Sequence, residues 1–333
     1  MNKKILITGA GGFIGSNLAE LMVRSGYQVR GMVRYNSASS YGWLDSTPYD
    51  LKQEMELVMG DIRDLHFVKK AVRGCDGVIN LASLIAIPYS YKSPESYVQT
   101  NIIGALNVLQ AVRECAIDKL VQISTSEVYG SAQFVPITEE HPLVAQSPYA
   151  AAKIGADQMA LAFYRSFETP VTIVRPFNTY GPRQSSRAII PTIITQIAQN
   201  LKVIELGALT PTRDFSYVED TAQGMIAALE AAEVVGEVIN LGSNFEISIA
   251  NMVNCIAELM GKNIKVISKK ERLRPQDSEV DRLCSDNSKA KRLLNWTPKF
   301  EGLSGFTQGI RCTIDWFCNP DNLARYKVGQ YAI

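Results

Sequence analysis

The chain has 333 residues, 46% hydrophobic and 20% charged, with a formal net charge of +1 at pH 7. Its length exceeds one ordinary domain, and its composition is that of a soluble globular protein. The near-zero charge argues against a broad nucleic-acid or membrane surface, and no apolar run is long enough to span a bilayer.

Lys4 to Thr8 (KILIT) is a short apolar run suited to a central parallel strand buried on both faces. The glycine-rich TGAGGFIG breaks it at once, so the start does not read as a signal peptide. Phe13 to Ser25 has helical periodicity and stops at Gly26. Gln28 to Arg34 reads as the second strand and Leu57 to Met59 as the third, before a helix from about Asp64 to Val72. Gly77 to Leu81 is the fourth strand, and a long helix follows Pro94 through TNIIGALNVLQAVREC. Leu120 to Ser124 is the fifth strand, a second long helix starts near Pro148, and Val171 to Arg175 is the sixth strand. Repeated strand–helix–strand units predict a doubly wound, parallel α/β Rossmann sheet.

After Arg175 the pattern changes, with Pro176, Pro182, Pro191 and Pro211 interrupting it. Tyr217 to Glu230 and Ile249 to Met260 read as helices on either side of strand-like EVINLG, and the charged RLRPQDSEVDR precedes helical SKAKRLLN. The expected organisation is a dinucleotide-binding domain over residues 1–176 plus about 217–243. A smaller, discontinuous α/β domain takes 177–216 and 244–333, with a substrate cleft between the two. The six cysteines show no metal-ligand spacing. They are expected as buried free thiols in a reducing cytoplasm, and no metal site is predicted.

Gly9, Gly12 and Gly15 lie between a predicted strand and a helix that opens with Phe13 and Ile14. Glycines there allow a tight turn and close approach to a pyrophosphate, and the helix N-terminus offers free N–H groups. An ordinary strand–helix turn would share the glycines. No acid follows the second strand before Asp45. Arg34 stands where a cation could meet a 2′-phosphate, with Asn36 and Ser37 as donors, which favours NADP over NAD; the alternative is an Arg34 that faces solvent. Asp61, with Ile62 beside it, is placed at the adenine, although an Asp61 helix cap competes. Leu81, Ala82 and Ser83 are expected to wall the nicotinamide ribose.

In SPYAAAK, Tyr149 and Lys153 stand at i and i+4 and share a helix face. Such a tyrosine can exchange a proton with a sugar hydroxyl while a nicotinamide takes hydride. The neighbouring ammonium and the cofactor's positive nicotinamide are both expected to lower its pKa toward the working range, and Tyr149 and Lys153 are expected to contact the cofactor as well. Chance surface pairs have the same spacing. The fifth strand, however, runs into Ser124, Thr125, Ser126 and Glu127, at the strand end where such folds place chemistry. Thr125 can hydrogen-bond a sugar hydroxyl. Glu127 supplies a carboxylate that a simple alcohol dehydrogenase does not need; a loop cap or an ion pair is its alternative. His66 and His141 receive no role.

TGAGGFIG, STSEVYG, SPYAAAK, RPFNTYGPRQ and RDFSYVEDTA occur in the order found in extended short-chain dehydrogenase/reductases of the nucleotide-sugar epimerase/dehydratase kind. The chain resembles that family over nearly its whole length. STSEVYG is similar to the form in GDP-mannose 4,6-dehydratases and nucleotide-sugar decarboxylases. YNSASSYGWLD, IAIPYSY, QSPYAAAKIGADQMALAFYRSF and GSNFEISI most resemble the GDP-N-acetylglucosamine 4,6-dehydratases of legionaminic-acid synthesis, a group described as NAD-dependent.

The resemblance implies a 4,6-dehydratase in which Tyr149, with Lys153 and Thr125, serves oxidation at C4. Glu127 then removes the C5 hydrogen, and Ser126 or protonated Glu127 helps water leave from C6. It implies substrate contacts at Asn178, Arg187, Arg213 and Arg274, with arginines on the diphosphate; ion pairs to Asp214 or Asp277 are the alternative. Tyr89 and Tyr91 line the sugar pocket or pack in the core or a dimer. A cytoplasmic homodimer built on a four-helix bundle of the two long helices is also implied. A UDP-glucuronate decarboxylase or a 4-epimerase would begin with the same oxidation. A non-enzymatic cofactor sensor on this fold would not need Tyr149, Lys153 and Glu127 together.

Overall fold

The computed structural model describes residues 3–326. Its strands are β1 (Lys4–Thr8), β2 (Gln28–Arg34), β3 (Met55–Gly60), β4 (Gly77–Asn80), β5 (Lys119–Ile123) and β6 (Val171–Pro176). They continue with β7 (Asn178–Tyr180), β8 (Val203–Leu206), β9 (Thr212–Tyr217), β10 (Val238–Leu241), β11 (Glu246–Ser248) and β12 (Lys265–Ser268). Seven form one sheet in the order β10-β6-β5-β4-β1-β2-β3, with every pairing parallel. Chain order reverses between β1 and β4. In an open parallel sheet this is where a crevice forms beyond the carboxyl ends of the strands.

Helices cover both faces, so the central strands are continuously apolar rather than alternating. On one face the helices Phe13–Arg24 and Val218–Glu230 bury Leu18, Met22, Ala222, Met225 and Leu229 against Ile5, Ile7 and Val121. On the other, Leu65–Val72, Gly104–Glu114 and Pro148–Phe167 bury Val68, Val108, Val112, Ala160 and Phe163 against Leu6 and Val78. A fully buried side chain of this size stabilises by ~1.5–3 kcal/mol. Two small sheets, β11-β9-β7 and β12-β8, pack a separate core around Ile193, Leu206, Phe215, Ile256 and Phe306.

The predicted helix after Pro94 is composite. It runs as Pro94–Tyr97, a π-helical stretch Val98–Ile103, and Gly104–Glu114. The third strand is longer than its apolar centre suggested, because Met55 and Gly60 also pair with β2. Trp43, in the loop after β2, packs on Trp316 and Tyr326 at centroid distances of 5.4 and 5.7 Å. Its backbone N–H donates to the Gly11 carbonyl at 3.0 Å, so the C-terminal segment is tied to the glycine loop. Of the six cysteines, all free, only Cys75 is buried, which corrects the expectation for the others. Cys312 and Cys318 are exposed because the buried stripe of the Gly302–Cys318 helix runs through Phe306, Ile310, Ile314 and Phe317. Among the described residues no helix is long and apolar enough to cross a membrane, and no cluster of three or more His, Cys, Asp or Glu could hold a metal ion.

Candidate active site

The crevice begins at the glycine loop. Gly9 has φ +69°, and a Cβ there would meet the Ala82 backbone at 3.0 Å. A Cβ on Gly15 would lie 2.3 Å from the Gly9 carbonyl oxygen, so both positions are dictated by packing. Gly12 differs. It is exposed, and a Cβ there would touch only the Gly9 oxygen, at 3.3 Å. Gly12 also starts the Phe13–Arg24 helix without any side-chain cap, which leaves first-turn N–H groups for an anion. An uncapped helix start beneath an open glycine fits a dinucleotide pyrophosphate.

Gln122, Asn80 and Thr8 form a buried hydrogen-bonded chain beneath this crevice. Gln122 Oε1 accepts from Asn80 Nδ2 at 2.8 Å, and the Thr8 hydroxyl donates to Asn80 Oδ1 and accepts from Ala82 N–H at 3.0 Å. This fixes the Leu81–Ser83 turn. Asn101, in the π-helical stretch, holds the next residue by bonding both backbone groups of Leu84 at 2.8 and 3.0 Å. The sequence reading missed Asn101; the signal was an amide inside an otherwise apolar TNIIGAL.

Arg34 is exposed at the end of β2, and its charge helps hold Asp61 below the usual carboxylate range, although the Arg63 side chain is the main cause. Asp61 does not cap the following helix; Asp64 does, accepting from His66 and Phe67 N–H. Asn36 spends both polar ends inside its own loop, on Arg34, Ala38 and Ser40, so it is not a free donor. Ser37 is exposed. The Ile62 side chain is buried against Gly104. Phe13 and Ile14 are half-buried on the second core.

Beyond β5 the chain enters a tight turn, Ser126–Tyr129, capped by Thr125 Oγ1 accepting from Glu127 N–H at 3.2 Å. The Pro148–Phe167 helix, capped by Ser147, lays Tyr149 and Lys153 against it, 7% and 4% exposed. Burial pushes the Tyr149 phenol well above its ordinary range; the Thr125 hydroxyl counters part of that rise, and the Glu127 charge adds to it. Against the expectation, the protein's own groups do not lower the tyrosine: desolvation by burial is the largest cause, and Lys153 is not among the groups that oppose it, its Nζ donating to the Ile123 carbonyl at 2.6 Å. Burial also lowers Lys153 to about 8, with Asp157 opposing the fall.

Glu127 is 9% exposed and lies 3.5 Å from Arg274 Nη1. Arg213 meets Glu279 at 3.2 Å, and Arg274 reaches the same carboxylate at 4.0 Å. The arginines therefore pair with Glu279 and Glu127, not with Asp214 or Asp277. Asp214 instead accepts from Ser243, Asn244 and Ser285. Glu279 was not singled out in the sequence because SEVDR reads as a solvated charge run. Arg274 Nη1 is buried without a hydrogen bond, and burial lowers Arg213. Arg213 is bonded to the Thr212 carbonyl and Glu279, so Arg274 Nη1, which has no hydrogen bond, is the donor that suits an incoming anion.

Asn178 Nδ2 donates to the Asp214 carbonyl at 3.3 Å, next to Arg213. Arg187 is exposed, and its charge reaches Tyr97. Tyr97 packs between Tyr89 and Tyr149, with both centroid distances 6.2 Å. The Tyr91 hydroxyl shares a hydrogen bond of 2.5 Å with Ser278 Oγ, bridging to the Arg274 segment. His141 accepts from Gln133 N–H through Nε2 and is structural. Ser126 is buried in the turn. A groove of about 700 Å³ lined by Tyr27, Ile226 and Trp296 lies at the opposite strand ends and contains none of these residues.

Residues 6–311 match the family model described as GDP-mannose 4,6 dehydratase. The low-salt glycan biosynthesis protein Agl12 of Haloferax volcanii is 31% identical, over 95% of this chain and 99% of its own. The epimerase Mth375 of Methanothermobacter thermautotrophicus superposes with a TM-score of 0.87 at 30% identity, over 98% of this chain and 95% of that one. DesIV, a dTDP-glucose 4,6-dehydratase of Streptomyces venezuelae solved with NAD bound, gives 0.85 at 25% identity, over 97% and 99%. The chain belongs to the GDP-mannose 4,6 dehydratase family, within the NAD-dependent extended short-chain dehydrogenase/reductases that act as nucleotide-sugar dehydratases and epimerases.

Proposed function

We propose that the protein is a nucleotide-sugar 4,6-dehydratase whose substrate is GDP-N-acetylglucosamine. Glu127 carries this reading, because a buried carboxylate stands beside the Tyr149–Lys153 pair at a strand end. Tyr149 accepts the C4 hydroxyl proton, with Thr125 orienting the sugar. A dinucleotide held by the glycine loop and the start of the Phe13–Arg24 helix would supply the hydride acceptor for C4 and the hydride donor for C6, with a solvent proton returned to C5. The 4-ketone acidifies the C5 hydrogen, which Glu127 removes. Water leaves from C6 with Ser126 or protonated Glu127 as the acid, and each placed acid or base contributes roughly 10²–10⁴ in rate. Arg213 and Arg274 hold the diphosphate, Asn178 and Arg187 flank it, and Tyr89 closes the sugar side. A 4-epimerase is the second reading, supported by the likeness to Mth375. It would not require Glu127 as a base.

The substrate choice is supported by the resemblance of the Tyr35–Asp45 and Ile85–Tyr91 stretches. GDP-N-acetylglucosamine should show kcat/KM about tenfold or more above UDP-N-acetylglucosamine and GDP-mannose, ~1.4 kcal/mol of transition-state binding. Mass spectrometry reads the loss of water directly. A clear preference for the UDP form rejects the substrate. Isomerisation without loss of mass would favour the epimerase.

The cofactor is proposed to be NADP in preference to NAD. Arg34 is the supporting residue; Asn36 is withdrawn from that role by its loop contacts. A charge-assisted contact to a 2′-phosphate contributes ~1.5–3 kcal/mol. Arg34→Ala should therefore weaken NADP by about tenfold or more and leave NAD nearly unchanged. Titrating both cofactors against both proteins checks this, and a wild-type preference for NAD reverses it. The proposed partner is a second copy of the chain, docked through the Pro94–Glu114 and Pro148–Phe167 segments. Val98 is exposed on the first of these and Phe167 on the second. A cytoplasmic location is part of the same proposal.

A further inference from the structure

Three successive residues at the end of β5 meet three residues of the Pro148–Phe167 helix spaced one turn apart. Thr125 faces Tyr149, the Ile123 carbonyl accepts from Lys153 at 2.6 Å, and Ser124 Oγ donates to Asp157 Oδ2 at 2.8 Å. Two of these rungs belong to the chemistry above. The third does not. Asp157 is 0% exposed, and its Oδ2 also accepts from Arg175 Nε and Nη2 at 3.1 and 3.0 Å. Arg175 Nη1 donates to the Tyr129 hydroxyl at 3.0 Å, which donates to Asn240 Oδ1 at 2.7 Å. Asp157 Oδ1 accepts no hydrogen bond. A buried ion pair is costly to desolvate, and a well-packed apolar pair would tie helix to sheet as well or better. Burial pushes the Asp157 carboxyl up, and Arg175, Ser124 and Lys153 oppose that rise, so its charge and that of Lys153 support each other.

We propose that Asp157 is a positioning residue that fixes the helix on the strand end and keeps Lys153 an ammonium for the dinucleotide ribose. This role presupposes the oxidation assigned above to Tyr149 and Lys153. Lys153 shares its helix face with Tyr149 one turn before it and Asp157 one turn after it, and its Nζ donates to the Ile123 carbonyl of β5. Among them, Asp157 is the group whose charge acts on Lys153. Burial has lowered Lys153 to about 8, so a further fall brings its deprotonation into the working range. Replacing the carboxylate by an amide removes the anion and leaves the Arg175 cation. Loss of the anion drives Lys153 down.

The measurement is dinucleotide binding against pH without substrate, alongside single-turnover cofactor reduction. In Asp157→Asn the alkaline limb of both should move to lower pH by about one unit, a roughly tenfold loss near the wild-type limb. At about pH 6 the loss should stay within roughly threefold, since Lys153 is charged in either protein there. Asp157→Glu keeps the charge and should hold the limb in place. Losses equal at every pH, or a limb that moves as far in Asp157→Glu, would reduce Asp157 to a structural tie and overturn the proposal. Lys153→Arg should erase the limb, because a guanidinium stays protonated; a persisting limb overturns the proposal even if Asp157→Asn does not fold. Binding that shows the predicted shift in a protein that turns over no nucleotide sugar would support Asp157 and refute the oxidation.

Discussion

Tyr149→Phe is expected to abolish cofactor reduction by nucleotide sugar, a loss toward the upper end of the roughly 10²–10⁴ range for a placed acid–base group. The phenol is the proton carrier nearest the Thr125 end of the cleft, and neither Thr125 nor Lys153 can replace it. Lys153 is bound to the Ile123 carbonyl, and Thr125 already caps the Glu127 N–H. The fold should be little affected. The ring keeps its edge contact with Tyr97 at 6.2 Å, and a single lost hydrogen bond is worth ~1 kcal/mol. Single-turnover absorbance of the reduced nicotinamide measures the effect, and a thermal melt separates it from unfolding. Because burial holds the phenol neutral, the wild-type rate should also rise with pH until Lys153 begins to lose its charge near 8. Reduction in Tyr149→Phe within about threefold of wild type would remove Tyr149 from the chemistry.

The order of strands and helices was legible because buried parallel strands are apolar runs and their helices carry periodic stripes. KILIT, QVRGMVR and VTIVR each became a strand of the main sheet. The glycine loop was legible for the same reason, since Gly9 and Gly15 answer to local packing. The hydrogen-bond type inside the helix after Pro94 was not, because a π-helical stretch has no composition of its own. Electrostatics were read less well. Tyr149–Lys153 spacing predicts a shared face, but which carbonyl takes the ammonium depends on how β5 meets the helix. Arg213 and Arg274 were singled out from the sequence, and the structure brings them to one carboxylate, yet their partner Glu279 depends on the long excursion that brings the segment after β12 back over the cleft. Asp157 could have been found by extending the spacing one more turn from Lys153.

Glu127→Gln should separate oxidation from elimination. The amide keeps the length of the side chain and its place above Thr125, where its backbone N–H is already capped. It loses the charge that meets Arg274 and, with it, the ability to take a proton from C5. Oxidation at C4 needs Tyr149, not this carboxylate, so added substrate should still reduce the bound cofactor. Removing the Glu127 charge even relieves part of the rise on Tyr149, which favours that first step. Loss of water should then slow by roughly 10²–10⁴, and exchange of the C5 hydrogen into heavy water should fall with it. The expected record is an absorbance rise that persists, a product mass that does not drop, and an unexchanged C5 position. In an epimerase the same variant would turn over normally, since no C5 proton is removed. A Glu127→Gln protein that forms the 4-keto-6-deoxy sugar near the wild-type rate would show that the base lies elsewhere. Ser126 and the water it could hold would then be the next group to replace.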